Sequence, residues 1–430
     1  MNNLILKVKK SYGGLPFSIY ILFIARVINR MGGFVHAFLA MFLQQRMGMN
    51  DNAIANYIMI MGIMTSLSPF IGGRIADIRG RKTIYLVAQS MAAILLIPCG
   101  IFADSHPEVI PTLLIASAIL SSIIRPINSA MVADLTDSME QRKRAFALLY
   151  LGINVGVAIG PMIGGFLFKN YIKWFFIGDA ITTLISVLLV AFFVKETQLT
   201  KKQMEEANGG EKMEEGSTLS VLLKKPVIIM FIFFSLFNSI AYAQGNFGLP
   251  LYLSKVFGEA GPMKFGALMS FNAVIVLICT IPITELLKRN RPVYNVSLAS
   301  FLYAVGFGMT GLIGNIYPLF FVSVLIWTLG EIVAVTNHSV FIMSHTPVNY
   351  RGRFNGIIAF IMGAGHIVSP KIMSKLTMNF NYTLAWLFIG VLALVAAFGL
   401  IYTGKVDERL HPEVKGKTLV SASTIDKTLE

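Results

Sequence analysis

The sequence reads Gly73-Arg74-Ile75-Ala76-Asp77-Ile78-Arg79-Gly80-Arg81-Lys82 between two long apolar segments. These ten residues carry four cations, one acid and two glycines, in a chain whose other connections are mostly short. Cations that flank an apolar segment are typical of one face of a membrane. The stretch therefore predicts a tight, charged turn that is held at a membrane surface.

The composition supports this placement. Hydrophobic residues make up 55% of the chain and charged residues 13%, and the mean hydropathy is +0.69, whereas a soluble domain has about 25% charged residues. Short segments with alternating polarity, typical of an outer-membrane barrel, are absent from the sequence. Because backbone polar groups in lipid must then be satisfied inside helices, we predict an all-α polytopic membrane protein.

Twelve segments have the length of a spanning helix, which needs roughly 20 mostly apolar residues. They cover residues 17–40, 53–75, 83–103, 111–134, 145–168, 173–194, 226–253, 264–287, 293–313, 317–343, 354–377 and 382–403. The first segment is too long for a signal peptide and has no small-residue cleavage site. We expect it to remain as the first helix.

The distribution of cations predicts the orientation. With both ends on one side, 26 of the 36 Lys and Arg residues lie on that side and seven on the other, while Arg26, Arg30 and Arg125 fall within helices. Cytoplasmic connections carry the excess of cations, so both termini of this multi-pass protein are predicted to be cytoplasmic, in the cell (plasma) membrane. Nucleic acid is not an expected partner, because the basic turns lack interleaved aromatic residues that stack on bases.

A polar segment divides the chain in the middle. Residues 195–225 replace apolar residues by Lys, Glu, Gly and Gln, which predicts a cytoplasmic linker. The linker separates a six-helix bundle at 1–194 from a second bundle at 226–405, and a cytoplasmic tail follows at 406–430.

The two halves also repeat each other at an interval of about 209 residues. This interval places Asn29 on Asn238 and, within one position, Asp77 on Glu285. Duplicated halves are common in secondary transporters. The sequence therefore predicts two pseudo-symmetric bundles.

The charged stretch resembles the loop 2–3 signature of the major facilitator superfamily, Gly-x-Leu-Ala-Asp-Arg-x-Gly-Arg-Lys, and departs from it at Ile75 and Ile78. The stretch Arg125-Pro126-Ile127-Asn128-Ser129-Ala130 also resembles the fourth helix of exporters of this family. A further signature in the fifth helix resembles the motif of members that export drugs by antiport: Gly152, Gly156, Gly160, Pro161, Gly164 and Gly165.

The resemblance covers residues from about 15 to 405. It implies a secondary active transporter that works by alternating access, is not an enzyme, and exports small amphiphilic compounds or drugs in exchange for protons. It implies no cofactor, because the proton gradient supplies the energy. The expected partners are a small-molecule substrate and the lipid bilayer, and one chain suffices to form the pathway, so we expect a functional monomer.

Both signatures also have a physical reading. Glycines four residues apart clear one helix face, so a neighbouring helix can approach closely, and Pro161 beside them can act as a pivot or leave only close packing. In the charged stretch Asp77 can accept hydrogen bonds from helix amides, while Arg81 and Lys82 are expected in the cytoplasm. The stretch is then either a gating latch or a topology anchor. The predicted gating residues are Gly73, Asp77, Arg79, Gly80, Arg81, Lys82 and Glu285.

Acidic residues inside a bilayer are rare and indicate function. Glu331 in the tenth helix is the first candidate for proton coupling, because a carboxyl group open to alternate sides can load and release a proton; the alternative is a permanent ion pair with Arg30 or Arg125. His338 and His345 follow Glu331 at intervals of seven and predict either a proton path or solvated, helix-capping side chains. Asp179 is a weaker candidate, because water can reach the outer interface near it.

The predicted substrate cavity combines arginines with amide and aromatic side chains: Arg26, Asn29, Arg30, Arg125, Asn128, Asn154, Asn238, Tyr242 and Trp327. Three arginines favour neutral, zwitterionic or anionic amphiphiles over cations. The pairs Gly330-Glu331 and Asn29-Arg30 partly resemble the proton-dependent oligopeptide transporters. Proton-coupled uptake of a peptide or organic anion is therefore the alternative function.

Other classes find less support in the sequence. Cys99 and Cys279 lie on different helices, which predicts neither a disulfide nor a metal site. A phosphate-binding Gly-x-x-x-x-Gly-Lys-Ser/Thr loop is absent, which argues against an ATP-driven pump. A non-transporting membrane sensor or scaffold would require an additional soluble domain, and the tail is short and polar.

Overall fold

The computed structural model describes residues 13–197, 225–346 and 351–412, with side chains except those of Asp77, Met139, Met343 and 351–360. Every regular element in these ranges is helical. Most of the predicted linker and the end of the predicted tail lie outside the described residues.

Seven helices form the first half of the chain: α1 Phe17–Gly32, α2 Leu39–Gln45, α3 Asp51–Arg79, α4 Arg81–Ile101, α5 Ile110–Asp134, α6 Met139–Asn170 and α7 Ile172–Phe193. Seven more follow: α8 Pro226–Ala243, α9 Gly248–Phe257, α10 Gly261–Leu287, α11 Pro292–Thr310, α12 Tyr317–His345, α13 Arg351–Asn379 and α14 Tyr382–Leu410. All twelve predicted segments coincide with helices. By length and composition, nine stretches of the described residues can cross a membrane, and the longest comprises α8 to α10.

The first and seventh segments were predicted to be continuous, and the structure breaks each of them. Residues 33–38 separate α1 from α2, and residues 244–247 separate α8 from α9. In each break the chain leaves the helix at a glycine-containing turn, Gly32-Gly33 and Gly245. Apolar periodicity does not register such a break, because the side chains on both sides remain apolar.

The predicted ten-residue turn is also almost entirely helical. α3 continues through Arg79 and α4 begins at Arg81, so that Gly80 is the only non-helical residue of the stretch. Gly80 has a φ of +97°, a conformation that side chains other than glycine rarely adopt. One glycine is therefore enough to change the chain direction.

Helix bounds follow the predicted repeat. Phe17 and Pro226, which begin α1 and α8, lie 209 positions apart. The same interval separates Asn170 from Asn379, the last residues of α6 and α13. Even the two breaks occupy equivalent positions, so the two halves have the same helical plan.

The described chain forms two compact units. The first comprises 13–197 together with Pro250–Val274, and the second comprises 225–249 and 275–412. The predicted boundaries at 194 and 226 stay a prediction, because residues 198–224 lie outside the described chain.

Aromatic side chains fix the broken first segment within the first unit. Phe38 stacks on Phe168 of α6 with ring centroids 5.9 Å apart, and Phe34 lies 5.2 Å from Phe175 of α7. Inside a membrane van der Waals packing, rather than removal of apolar surface from water, stabilises helix contacts, and these close ring contacts supply that packing at the break. The break is thus a packed part of the unit.

Candidate functional site

A polar cavity of about 330 Å³ lies inside the first unit, lined by α1 and its break, α3, α4, α5 and α7. It brings together six of the predicted site residues: Arg26, Asn29, Arg30, Arg125, Asn128 and Asp179. Asn154 on α6 does not line it, and its amide nitrogen donates to the Tyr150 carbonyl oxygen at 2.8 Å. The sequence therefore predicted most of this wall.

The cavity has a strong excess of positive charge. Among the described residues, no carboxylate oxygen lies within 4.0 Å of a guanidinium nitrogen of Arg26, Arg30 or Arg125. Arg30 Nε is buried and has no hydrogen-bond partner in the described part of the chain. A buried donor without a partner is costly. The wall therefore offers guanidinium groups to an anionic ligand.

Asp179 is the acid of this cavity, and it is buried within the unit rather than exposed at the outer surface. Only 5% of the residue is exposed, because α7 packs it against the break in the first segment. Its Oδ2 accepts a hydrogen bond from the Val35 N–H at 3.4 Å, one of the backbone groups that the break frees. On the next turn, Thr183 Oγ1 accepts from Asn29 Nδ2 at 3.1 Å. Asp179 thus binds the irregular backbone, while Thr183 one turn later binds Asn29 beside Arg30.

The glycine signature of α6 lies against the back of α1. A Cβ atom at Gly156 would stand 2.5 Å from Arg30 Cβ, and one at Gly160 would stand 2.8 Å from the Met31 carbonyl oxygen. Gly152 and Gly164 meet Phe23 and Phe34 in the same way.

The remaining part of the signature faces the beginning of α10. A Cβ atom at Gly165 would lie 2.7 Å from the Pro262 carbonyl oxygen. α6 continues through Pro161 to Asn170. The seam thus provides the predicted close packing, and the pivot stays a prediction.

In the second unit Glu331 forms a separate polar site. The Tyr242 hydroxyl donates to Glu331 Oε1 at 2.7 Å, and the Tyr242 ring lies 6.3 Å from Trp327. A phenol can donate to a carboxylate and accept from a carboxylic acid, so this contact suits both protonation states. Asn238 donates to Ser300 Oγ at 2.7 Å and packs within the same unit. None of these residues lines the arginine cavity.

The predicted histidine stripe divides between different partners. His338 Nε2 lies 3.2 Å from Ser235 Oγ, and His345 Nε2 lies 2.6 Å from Asp407 Oδ1. Of the two non-relay alternatives for His345, solvated or helix-capping, the structure favours the second: α14 covers the residue and leaves 8% of it exposed, and its Nδ1 lies 2.8 Å from the Phe341 carbonyl oxygen at the end of α12.

The charged stretch binds the helix ends of its own unit together. The Glu196 carboxylate accepts from the Lys82 N–H at 2.9 Å and from the Thr83 N–H at 3.2 Å, and so caps the first turn of α4, where Gly80 has no side chain to do so. Burial alone would raise the pKa of Glu196, but the hydrogen bonds from these backbone amides and that of Thr197 outweigh it and lower the pKa.

Arg81 is largely buried at the helix ends of its unit, and its predicted cytoplasmic position stays a prediction. Its Nη1 pairs with Asp134 Oδ2 at the end of α5, and only 12% of its side chain is exposed. Lys82 Nζ donates to the Ala191 carbonyl oxygen at 2.7 Å. The Asp77 side chain lies outside the described residues, Arg79 is exposed, and a Cβ atom at Gly73 would meet nothing within 4 Å in the described part of the chain, so the gating role of these residues stays a prediction.

In the equivalent turn of the second unit, the predicted acid, Glu285, makes a weaker contact. Glu285 is 64% exposed and pairs with Lys288 on the next turn of the same helix end. An exposed pair of this kind adds little stability. The residue types alone did not indicate whether Glu285 would be buried or exposed.

Sequence reasoning missed several polar residues of the cavity wall. They repeat at helical intervals of three and four, and on α5 and α7 they share a face with predicted residues: Tyr85 and Gln89 on α4, Ser117 and Ser121 on α5, and Thr183 and Ser186 on α7. Such stripes of small polar residues in an apolar helix are a usable signal. His36 lies in the break of the first segment and also lines the cavity.

Comparison with known proteins agrees with this plan. The sequence profile of the Major Facilitator Superfamily matches residues 22–370. The chain is 24% identical over 390 residues to a Na(+), Li(+), K(+)/H(+) antiporter of Planococcus maritimus, covering 85% of this chain and 90% of that protein. It is 24% identical to the multidrug resistance protein MdtG of Proteus mirabilis, over 77% and 80% of the two chains.

Solved structures share the fold at lower identity. A POT family transporter in complex with a thioalcohol-conjugated peptide superposes with a TM-score of 0.72 at 16% identity, covering 92% of this chain and 98% of that one. The nucleoside transporter NupG gives 0.70 at 16% identity, over 91% and 100% of the two chains. With the family profile matching most of its length, this chain belongs to the Major Facilitator Superfamily, whose members are membrane transporters and not enzymes.

Proposed function

We propose that this transporter exports small amphiphilic compounds, drugs among them, that carry an anionic group, and that protons enter in exchange. The observation that carries the proposal is the cavity of the first unit, where three arginines lack a carboxylate partner among the described residues. A guanidinium group binds a carboxylate through two parallel hydrogen bonds. Apolar wall residues such as Leu22 and Leu96 would accept the rest of an amphiphile.

Two carboxyl groups inside the helices are available for proton coupling. Asp179 shares the cavity with the arginines, so a proton on its carboxylate changes the net charge that a substrate meets. Glu331 holds a hydrogen bond from Tyr242 that survives protonation. We assign coupling to Glu331 first and to Asp179 second; His338 is a third candidate through its contact with Ser235. No cofactor is part of the proposal, since the proton gradient supplies the energy.

Relatives give partial support. One is named as a cation/proton antiporter and another as a multidrug resistance protein, and both are 24% identical to this chain. The arginine wall is unsuited to a bare metal cation as cargo, because like charges repel in a low-dielectric cavity. We therefore propose antiport with protons for this chain, as in the name of that relative, but not the metal cation as its cargo. The proposal keeps both termini in the cytoplasm and one chain as the working unit.

The test uses purified protein in liposomes with an imposed pH gradient and a fluorescent amphiphile that carries a permanently ionised sulfonate. An antiporter accumulates this probe when the interior is acidic, whichever way the protein is inserted. Protein-free liposomes and a protonophore supply the controls. Absence of gradient-driven accumulation in either direction would overturn proton coupling.

The alternative is proton-coupled uptake of a peptide or an organic anion. The specific observation in its favour is the structural likeness to a POT family transporter in complex with a conjugated peptide. A symporter accumulates its substrate when the exterior is acidic, so reversing the gradient in the same liposomes separates the two functions. A sensor or scaffold would transport nothing under either gradient.

A further inference from the structure

We propose that His345, Asp407 and His411 form a binding site for a first-row divalent metal ion, with Zn²⁺ as the best fit. These three residues, called here the His–Asp–His cluster, lie where α12 and α14 end in the second unit. Their ligand atoms all lie within 4.8 Å of one another. The cluster is distinct from the arginine cavity and from Glu331.

His345 is held as a metal-binding histidine usually is. Its Nδ1 lies 2.8 Å from the Phe341 carbonyl oxygen and 3.0 Å from Ser344 Oγ. A hydrogen bond from Nδ1 to a backbone carbonyl fixes the ring and directs Nε2 at the metal. Nε2 lies 2.6 Å from Asp407 Oδ1, and only 3% of the side chain is exposed. The ring therefore cannot turn away from the carboxylate.

Asp407 is supported on its other oxygen. Arg291 Nη1 donates to Asp407 Oδ2 at 2.9 Å, so a metal ion would bind Oδ1 and replace its present direct contact with His345 Nε2. Second-shell hydrogen bonds of this kind orient ligating carboxylates. Arg291 Nε also lies 3.8 Å from Glu408 Oε1, so two carboxylates balance the guanidinium charge.

The backbone of His411 is fixed from both sides. Its N–H donates to the Asp407 carbonyl oxygen at 2.8 Å, and its carbonyl oxygen accepts from Arg291 Nη2 at 3.3 Å. The His411 ring centroid lies 5.2 Å from that of His345. The third ligand is therefore already placed beside the other two.

A cavity of about 360 Å³ adjoins the cluster and gives it access and a place for a fourth ligand. His345, Leu410 and His411 line it, together with Lys225 and the first turn of α8. The ammonium group of Lys225 would repel a bound metal cation. Its long, half-buried side chain can move this group away from the site. Water from this cavity would complete four-coordination.

The donor set selects the metal. Two imidazoles and one carboxylate with an open position suit Zn²⁺, which binds nitrogen and oxygen at about 2.0–2.2 Å and so needs ligand atoms roughly 3.3 Å apart. His345 and Asp407 must separate slightly and His411 must approach. The ligands come from two distant segments, so the sequence spacing predicted no metal site.

The test is titration of the purified full-length chain with Zn²⁺, with binding measured by calorimetry and by the change in melting temperature. We expect one ion per chain, a higher melting temperature and reversal by a chelator. His411→Ala removes one ligand but keeps the backbone contact to Arg291, and should weaken binding by at least about tenfold. Lys225→Ala removes the opposing charge and should strengthen it.

The matched control is His106→Ala, which removes an exposed histidine beside Glu108 in the first unit. It should leave the binding of Zn²⁺ unchanged. Equal affinity in wild type and His411→Ala, loss of binding in His106→Ala, or no binding at all would each overturn the site. Asp407→Asn is avoided, because it leaves Arg291 buried without its main partner and could prevent folding.

Discussion

Gly156 of α6 touches α1 directly behind Arg30, so that a Cβ atom at position 156 would stand 2.5 Å from Arg30 Cβ and 2.8 Å from the Val27 carbonyl oxygen. The glycine signature of α6 therefore packs against α1, the helix that also carries Arg26 and Arg30 of the cavity wall. Any side chain added to the seam displaces α1 and with it the guanidinium groups that line the cavity.

Gly156→Ala should accordingly destabilise the protein by about 1–3 kcal/mol, the usual cost of overpacking. It should also lower transport, because Arg30 moves. Gly363→Ala on α13 is the control, since nothing lies within 4 Å of its added Cβ atom, and it should be neutral or stabilising. Melting temperatures of the two variants in detergent decide the matter; equal melting temperatures would contradict the close contact.

Arg30→Gln should weaken binding of an anionic substrate by about tenfold or more, because a hydrogen bond to a charged group contributes about 1.5–3 kcal/mol. A neutral amide analogue of the same substrate should bind the variant nearly as well as the wild type. Thermal stability should not fall, since Arg30 has no ion-pair partner among the described residues. If the variant lost affinity for the anionic substrate and for its neutral analogue to the same extent, Arg30 would shape the cavity without recognising charge.

Glu331→Gln should abolish accumulation driven by a pH gradient while leaving exchange of substrate between equilibrated compartments intact. Tyr242→Phe keeps the carboxyl group and removes only its hydrogen bond, so it should shift the pH dependence of transport and preserve coupling. Liposome transport with and without the gradient separates these effects. A Gln variant that accumulates substrate as the wild type does would transfer the coupling role to Asp179, which Asp179→Asn tests in the same way.

Stability should depend on pH through Glu196. Hydrogen bonds to the ionised carboxylate lower its pKa in the folded chain below the ordinary value of 4.5. The contribution of Glu196 is therefore present above pH 4.5 and is lost as the pH falls through the folded-state pKa. Glu196→Gln should melt lower than the wild type near neutral pH, and the difference should vanish in acid.

Glu259→Gln, at an exposed turn, supplies the control for that titration and should show little difference at any pH. A difference between wild type and Glu196→Gln that stays constant from neutral to acid pH would mean that the carboxylate charge does not stabilise α4.

Arg81→Ala should cost about 3–5 kcal/mol, because it leaves Asp134 buried without its partner. Exchange of the two residues, Arg81→Asp with Asp134→Arg, should restore part of the loss. Lys288→Ala removes the exposed partner of Glu285 and should change stability by less than about 1 kcal/mol. Thermal unfolding of the four proteins measures these effects, and a double exchange no better than Arg81→Ala would argue against a direct pair.

Local patterns carried the prediction a long way. The twelve predicted apolar segments coincide with helices, and the repeat interval of 209 residues also separates helix bounds in the two halves. Polar residues in apolar segments, four of them ionisable, identified six residues of the cavity wall. These features can be recognised in the sequence because each membrane-spanning segment must separately have a certain length and a mostly apolar composition.

The sequence by itself determined the class of this protein, an all-helical membrane chain of two repeated halves. It also placed arginines and acids within apolar segments, where ionisable side chains are costly and indicate function. Only the tertiary structure decided which of those groups meet. It placed Asp179 at a helix break, buried Arg81 against Asp134, and brought His345 to Asp407. Such contacts join helices far apart in the chain, and their partners depend on how side chains pack between helices, which no spacing along one segment encodes.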